Sequence, residues 1–114
     1  MSRRDIIQIF MDSGLKRTEA RTLKFLFEND SGFSRDIERR MDLRQPEVSN
    51  AMMLFKSKKW IDKKEITHEG KGRPNILYKL RKTKKKIIEE LLANCENEIN
   101  RLQKLSEELE ALNE

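Results

Sequence analysis

The sequence predicts an α+β fold, mainly helical, in which four short helices and a two-stranded hairpin precede one long C-terminal helix. Three observations carry that prediction. Apolar residues recur at helical spacing through several segments before residue 58, while Ile76, Tyr78 and Leu80 alternate at period two beyond a turn rich in Gly and Pro. From Thr83 to about Asn113 the chain contains no Pro or Gly, a span that as a helix measures about 46 Å.

Ile6, Ile7, Phe10 and Met11 give the first stripe, a helix over roughly 4 to 12, which the breaker Ser13-Gly14 ends. Leu15, Ala20, Leu23, Leu26 and Phe27 give the second, over roughly 18 to 28, with Thr18 as its expected N-cap and Glu19 in its first turn. Asn29-Asp30-Ser31-Gly32 reads as a stop signal and turn. Ser34 is the expected cap of a third, short helix carrying Ile37 and Met41, and Asp42-Leu43-Arg44 makes the next turn.

Pro46 is expected to start the fourth helix, because a proline lacks the amide hydrogen that an internal helical position needs but loses nothing at the first. Val48, Met52 and Phe55 recur at i, i+4 and i+7 and mark its buried stripe. Met53 and Leu54 are open between the core margin, a partner and thymine methyls, the core margin being the plainer choice. Two strands are expected over Trp60 to Thr67 and Asn75 to Leu80, with Trp60 and Tyr78 sealing the core. His68 reads as a strand-end surface residue.

Charge divides the chain. Charged residues make up 39% of its 114 positions and the net charge is +5, which favours an anionic partner. Residues 1–81 hold 19 Lys/Arg against 12 Asp/Glu, whereas residues 82–114 hold 6 against 8. Nucleic acid is thus attracted to the body and repelled by the tail. The expected division is accordingly a basic body, 1–81, and an acidic C-terminal helix, 82–114.

Several function classes are set aside on composition. No apolar run approaches the roughly 18 residues that span a bilayer, and Met1 to Phe10 is too polar for a signal peptide, so a cytoplasmic protein with no membrane association is expected. A single Cys95 and a single His68 make neither an internal disulfide nor a Cys/His zinc site. No calcium loop, phosphate-binding glycine loop or dinucleotide fingerprint is present, so neither metal nor cofactor is expected, and no nucleophile-base constellation marks an enzyme.

Helix three, its turn and helix four span about 25 residues, the size of a helix-turn-helix unit whose second helix can enter a major groove about 12 Å wide. Arg35, Arg39, Arg40 and Arg44 precede the reading helix, and Lys56, Lys58 and Lys59 follow it. The hairpin tip, Glu69-Gly70-Lys71-Gly72-Arg73-Pro74, sets Lys71 and Arg73 beside glycines, so backbone and cations can approach a phosphate or the minor groove.

At Leu43-Arg44-Gln45-Pro46-Glu47-Val48-Ser49-Asn50 the sequence resembles the winged helix-turn-helix transcription regulators, particularly small archaeal proteins of the MarR-like and ArsR-like broad class. Met52 and Phe55 match that class's buried positions, Trp60-Ile61 its passage into the wing, and Gly72-Arg73-Pro74 with Tyr78 its wing. The likeness covers roughly residues 15 to 80. It implies double-stranded DNA as partner, a palindromic site read by a dimer, and a contact surface including Gln45, Glu47, Ser49, Asn50 and Arg73, to which the charge pattern adds Arg44, Lys56 and Lys71. Two departures stand out. Lys59 occupies a place where the class commonly has glycine, and Glu47 puts a negative charge on the reading face, where it is open between accepting from cytosine N4, repelling phosphate and serving the helix's positive end.

The long helix supplies the second surface. Ile88, Leu92, Cys95, Ile99, Leu102, Leu105, Leu109 and Leu112 follow a near-heptad seam with one break between Leu102 and Leu105, which implies a partner helix and a coiled-coil homodimer. An antiparallel pair, or a first half packed on the body and a second half paired, accommodates that break. The expected function is a dimeric DNA-binding transcription regulator, with repression the simpler mechanism. Its alternatives are a winged-helix structural or protein-interaction module and an RNA-binding module. Control by an undetermined small-molecule effector and control by protein abundance both stay open.

Overall fold

A computed structural model describes residues 5–66 and 74–114, and the chain forms two compact units, Met1–Lys84 and Lys85–Glu114. The first contains α1 (Ile6–Asp12), α2 (Arg17–Asn29), β1 (Ser31–Phe33), α3 (Ser34–Arg40), α4 (Gln45–Ser57), β2 (Ile61–Ile66) and β3 (Asn75–Leu80). The α+β class, the four helices, the hairpin and the long last helix, α5 (Lys84–Leu112), are as the sequence predicts.

A third strand is the main addition. The expected turn at residues 29–32 does stop α2, with Asp30 in a left-handed conformation at φ 63°, but Ser31–Phe33 then pair antiparallel with β3. The sheet order is β1-β3-β2, with Gly32 opposite Tyr78 and Lys63 opposite Tyr78 on the other side. Gly32 is required by close approach, since a methyl group there would overlap the Phe25 ring. The hairpin ladder runs from Ile61 opposite Leu80 to Ile66 opposite Asn75, so the expected strand loses Trp60 to the preceding corner. Thr67 lies outside the described residues, as do His68, Lys71 and Arg73.

Two expected caps are displaced. Thr18 lies inside α2, where its carbonyl accepts from the Thr22 hydroxyl at 2.8 Å, and the cap falls at Lys16, whose N–H donates to Glu19 at 2.8 Å. Ser34 is the first helical residue of α3, and its hydroxyl donates to Glu38 at 2.8 Å while Phe33 takes the cap position. Pro46 is the second rather than the first residue of α4. Neither position has an intrahelical amide partner to lose, so the proline fits both.

The core is assembled from Leu23 and Leu26 of α2, Ile37 of α3, Val48, Ala51, Met52 and Phe55 of α4, and Trp60, Ile61 and Tyr78 around the sheet, all buried. Each buried Leu, Val or Phe side chain contributes about 1.5–3 kcal/mol. Phe10 and Phe27 meet edge to face at 5.3 Å and fasten α1 to α2.

The end of α4 fixes the path into the sheet. Lys59 stands at φ 61°, its N–H donating to the Lys56 carbonyl at 2.9 Å, while the Trp60 N–H donates to the Phe55 carbonyl at 2.9 Å. These bonds form a Schellman end, and the hydrophobic contact that accompanies it is Phe55 stacked on Trp60 at 5.5 Å. Lys59 therefore occupies a position where glycine is unstrained, which gives a physical content to the departure noted in the sequence.

α5 is helical for 29 residues, about 43 Å, and all of it beyond Lys84 belongs to the second unit. Ile87 and Leu91 are its buried residues, whereas Ile88, Leu92, Cys95, Ile99, Leu102, Leu105, Leu109 and Leu112 are all exposed. No helix among the described residues is long and apolar enough to cross a membrane.

Candidate nucleic-acid interface

Two short helices and a tight turn position the candidate surface. After α3 the chain reverses through Asp42, at φ 54°, and Leu43 buries its side chain while its N–H donates to the Glu38 carbonyl at 2.8 Å. That anchor fixes where α4 begins. Arg44 stands just before the helix, and its N–H donates to a Glu47 carboxylate oxygen at 2.8 Å. Glu47 thus satisfies an amide at the helix mouth and places negative charge at the positive end of the dipole.

The buried residues Val48, Ala51, Met52 and Phe55 occupy one side of α4. At 100° per residue, Ser49, Asn50 and Met53 fall on the opposite side, with Gln45 and Lys56 along one border. Gln45, Asn50, Met53 and Lys56 are exposed and Ser49 is half-buried. The side chains carry two amides, one hydroxyl, one thioether and one cation, a set able to donate, accept and make apolar contact with base edges.

Met53 corrects the expected core margin, since at 68% exposure it projects outward; Leu54 is half-buried. It lines a cleft of about 120 Å³ with Ser49, Met52, Lys56, Ile61, Lys63 and Tyr78. Lys63 is the addition that sequence reading missed, because Asp62 to Glu65 show no alternation. The ladder reveals it: Lys63 pairs with Tyr78, so its side chain leaves the sheet on the α4 side.

Not every cation that flanks α4 in sequence is available in the same way. Arg39 pairs with Asp36 at 2.7 Å, the Arg40 guanidinium lies 5.5 Å from the Phe25 ring centroid, and the Lys58 ammonium lies 5.5 Å from that of Trp60. Arg44 and Lys56 are exposed at the start and near the end of α4, and Lys56 and Lys63 line the cleft beside Met53. A separate open depression of about 520 Å³ is lined by Phe33, Arg35, Asp36, Arg39 and Asn75.

Among the described residues no group of three or more His, Cys, Asp or Glu side chains is placed to hold a metal ion. The Glu98 carboxyl is held below its usual range chiefly by the hydrogen bond from Arg101, whose own proton affinity is raised by the same bond. That pair belongs to α5 and lies apart from α4 in the chain.

Helix, turn, outward-facing second helix and a hairpin next to it define the winged helix-turn-helix fold, the fold of a large class of transcription regulators. Solved structures of that class match the chain at low identity. A "possible transcriptional regulator" from Methanosarcina mazei Go1 is similar at 17% identity and a TM-score of 0.66, covering 87% of this chain and 83% of that one. A transcriptional regulator homologue from Pyrococcus horikoshii OT3 is similar at 10% identity and 0.54, covering 83% and 97%. Overoxidised AbfR, solved bound to DNA, is similar at 14% identity and 0.55, covering 92% and 79%. No protein-family model and no curated protein match the chain.

Proposed function

We propose that the protein is a non-enzymatic transcription regulator that binds double-stranded DNA as a homodimer, with α4 as reading helix. The observation that carries this reading is the two-sided character of α4: a four-residue buried stripe opposite Ser49, Asn50 and Met53, bordered by Gln45, Arg44, Lys56 and Lys63. A helix with its side chains is about 10–12 Å across, matching the major groove.

In this reading the cations hold phosphates and the amides read bases. Asn50 is suited to paired bonds with adenine N6 and N7, Gln45 and Ser49 to neighbouring edges, and the Met53 methyl to a thymine methyl. Glu47 frames the helix mouth. The hairpin tip, with Lys71 and Arg73, serves as a wing against the backbone or minor groove. Occupancy of a promoter-proximal site gives repression without any further surface, and a small-molecule effector is not required. That AbfR has been solved on DNA supports the fold's compatibility with duplex binding.

Selection from a random duplex library tests the proposal. The expected result is an enriched site with two symmetry-related halves. A folded dimer that enriches no sequence, or that instead assembles stably with another protein, favours the structural-module alternative; preference for structured RNA favours the RNA-binding one.

A further inference from the structure

The cleft between α4 and the sheet has a mixed lining, cationic and polar at some residues and apolar at the others. Ser49, Met52, Met53 and Lys56 recur at i, i+3, i+4 and i+7, so one stripe of α4 forms the first wall. Ile61, Lys63 and Tyr78 form the second. Residues two apart on a strand share a face, as do residues directly opposite in an antiparallel ladder, which sets these three together toward α4. Ile61 and Tyr78 are buried while Lys63 is exposed, so the packing of α4 on the sheet ends at Lys63.

Two properties of this lining define what fits it. Arg39 is paired with Asp36 and Lys84 with Asp30, but neither Lys56 nor Lys63 has an ion-pair partner among the described residues. Two cations on one small cleft repel each other, and an anion inside it stabilises both. At about 120 Å³ the space is well below the roughly 300 Å³ at which small-molecule pockets begin, so it takes a group of phosphate size rather than a drug-sized ligand. The apolar part, Met52, Met53, Ile61 and the Tyr78 ring, offers nothing to a free phosphate but suits the C–H faces of a sugar. The repeating sugar-phosphate of a nucleic-acid strand combines both characters.

Topology then selects the stretch of strand. Each backbone of a duplex separates its major groove from its minor groove. With α4 in the major groove and the hairpin tip at the adjacent minor groove, the strand dividing them crosses the gap between α4 and the hairpin, where the cleft lies. We infer that this cleft seats one deoxyribose-phosphate unit for each reading helix, its phosphate held by Lys56, Lys63 and the Ser49 hydroxyl and its sugar against Met53 and Tyr78. The inference rests on the duplex-binding reading and adds to it one phosphate of fixed position, with Lys63 as the residue that fixes it.

Lys64 supplies the control, since it carries the same charge, is also exposed, and lies opposite Leu77 on the other face of the hairpin. Titration of the full-length chain over a salt series should show Lys63→Gln weakening the selected and an unrelated duplex by similar factors, with the salt slope smaller by about one unit. Lys64→Gln should keep the parent's slope, and Lys63→Arg should restore it. Replacing each phosphate of the selected duplex in turn by an uncharged methylphosphonate locates the contact. At one position per reading helix the replacement should weaken the parent but not Lys63→Gln, while positions held by other cations weaken both. Inorganic phosphate should displace the duplex no better than chloride at equal ionic strength; saturable displacement would make the cleft a free-anion site and overturn the inference. Equal losses in Lys63→Gln and Lys64→Gln, or a methylphosphonate profile identical for the parent and Lys63→Gln, overturn it while leaving α4 as reading helix. A folded parent that selects no duplex overturns both.

Discussion

Replacing Lys59 with glycine should stabilise the fold. Lys59 is held at φ 61° by the two bonds that close α4, from its own N–H to Lys56 and from the Trp60 N–H to Phe55, each 2.9 Å. The corner cannot relax without unstacking Phe55 from the fully buried Trp60. A side chain in the left-handed region costs about 1–2 kcal/mol. Glycine removes that strain but loses about 0.4–1 kcal/mol through its freer unfolded state. The net gain is about 0.5–1 kcal/mol, or roughly 3–5 °C in a small domain. Thermal unfolding followed by circular dichroism should be compared at one fixed protein concentration, because dimerisation makes the midpoint concentration-dependent. Lys59→Ala is the control that removes the charge and keeps the Cβ, and it should melt with the parent. Equal midpoints for the glycine and alanine variants would refute the backbone argument.

Gly32→Ala should destabilise by about 1–3 kcal/mol, since the added methyl meets the Phe25 ring inside a packed sheet; an unchanged urea midpoint contradicts that packing. Asn50→Ala should keep fold and dimerisation but relax preference at one or two symmetry-related base pairs by about 1–3 kcal/mol, read by titrating duplexes substituted at each position. Uniform weakening would make Asn50 a phosphate contact instead. Arg73→Ala should weaken specific and unrelated duplexes by comparable factors and lower the salt slope by about one unit. Removing residues 100–114 should lower dimer and selective DNA affinity together, and unchanged dimer mass over the same concentrations would exclude that half of α5 as a pairing surface.

Long-range periodicity made most of the fold legible. Val48, Met52 and Phe55 lie on the buried side of α4, and the hairpin forms where Ile76, Tyr78 and Leu80 alternate. Short-range detail was harder to read. β1 is three residues long, too short for alternation, and it exists because β3 offers it a ladder and Gly32 lets Phe25 approach. Thr18 and Ser34 resemble caps, yet α2 begins one residue before Thr18 and α3 begins at Ser34 itself, so both lie inside their helices. On the candidate surface, Met53 could be assigned outward only once Val48, Ala51, Met52 and Phe55 together filled the inner side. Lys63 required the strand register, which its charged neighbours conceal. Lys59 was visible as a departure from glycine, but its strain belongs to the backbone.

The central claim is sequence-selective binding of duplex DNA by the α4 surface. Its most direct test is a titration of the selected duplex, an unrelated duplex and a structured RNA across a salt series. The account predicts binding to the selected duplex at least about 1,000-fold tighter than to the unrelated one, with log affinity falling linearly in log salt for both. Equal affinity for the two duplexes, or tighter binding of the RNA, from a correctly folded dimer would contradict it.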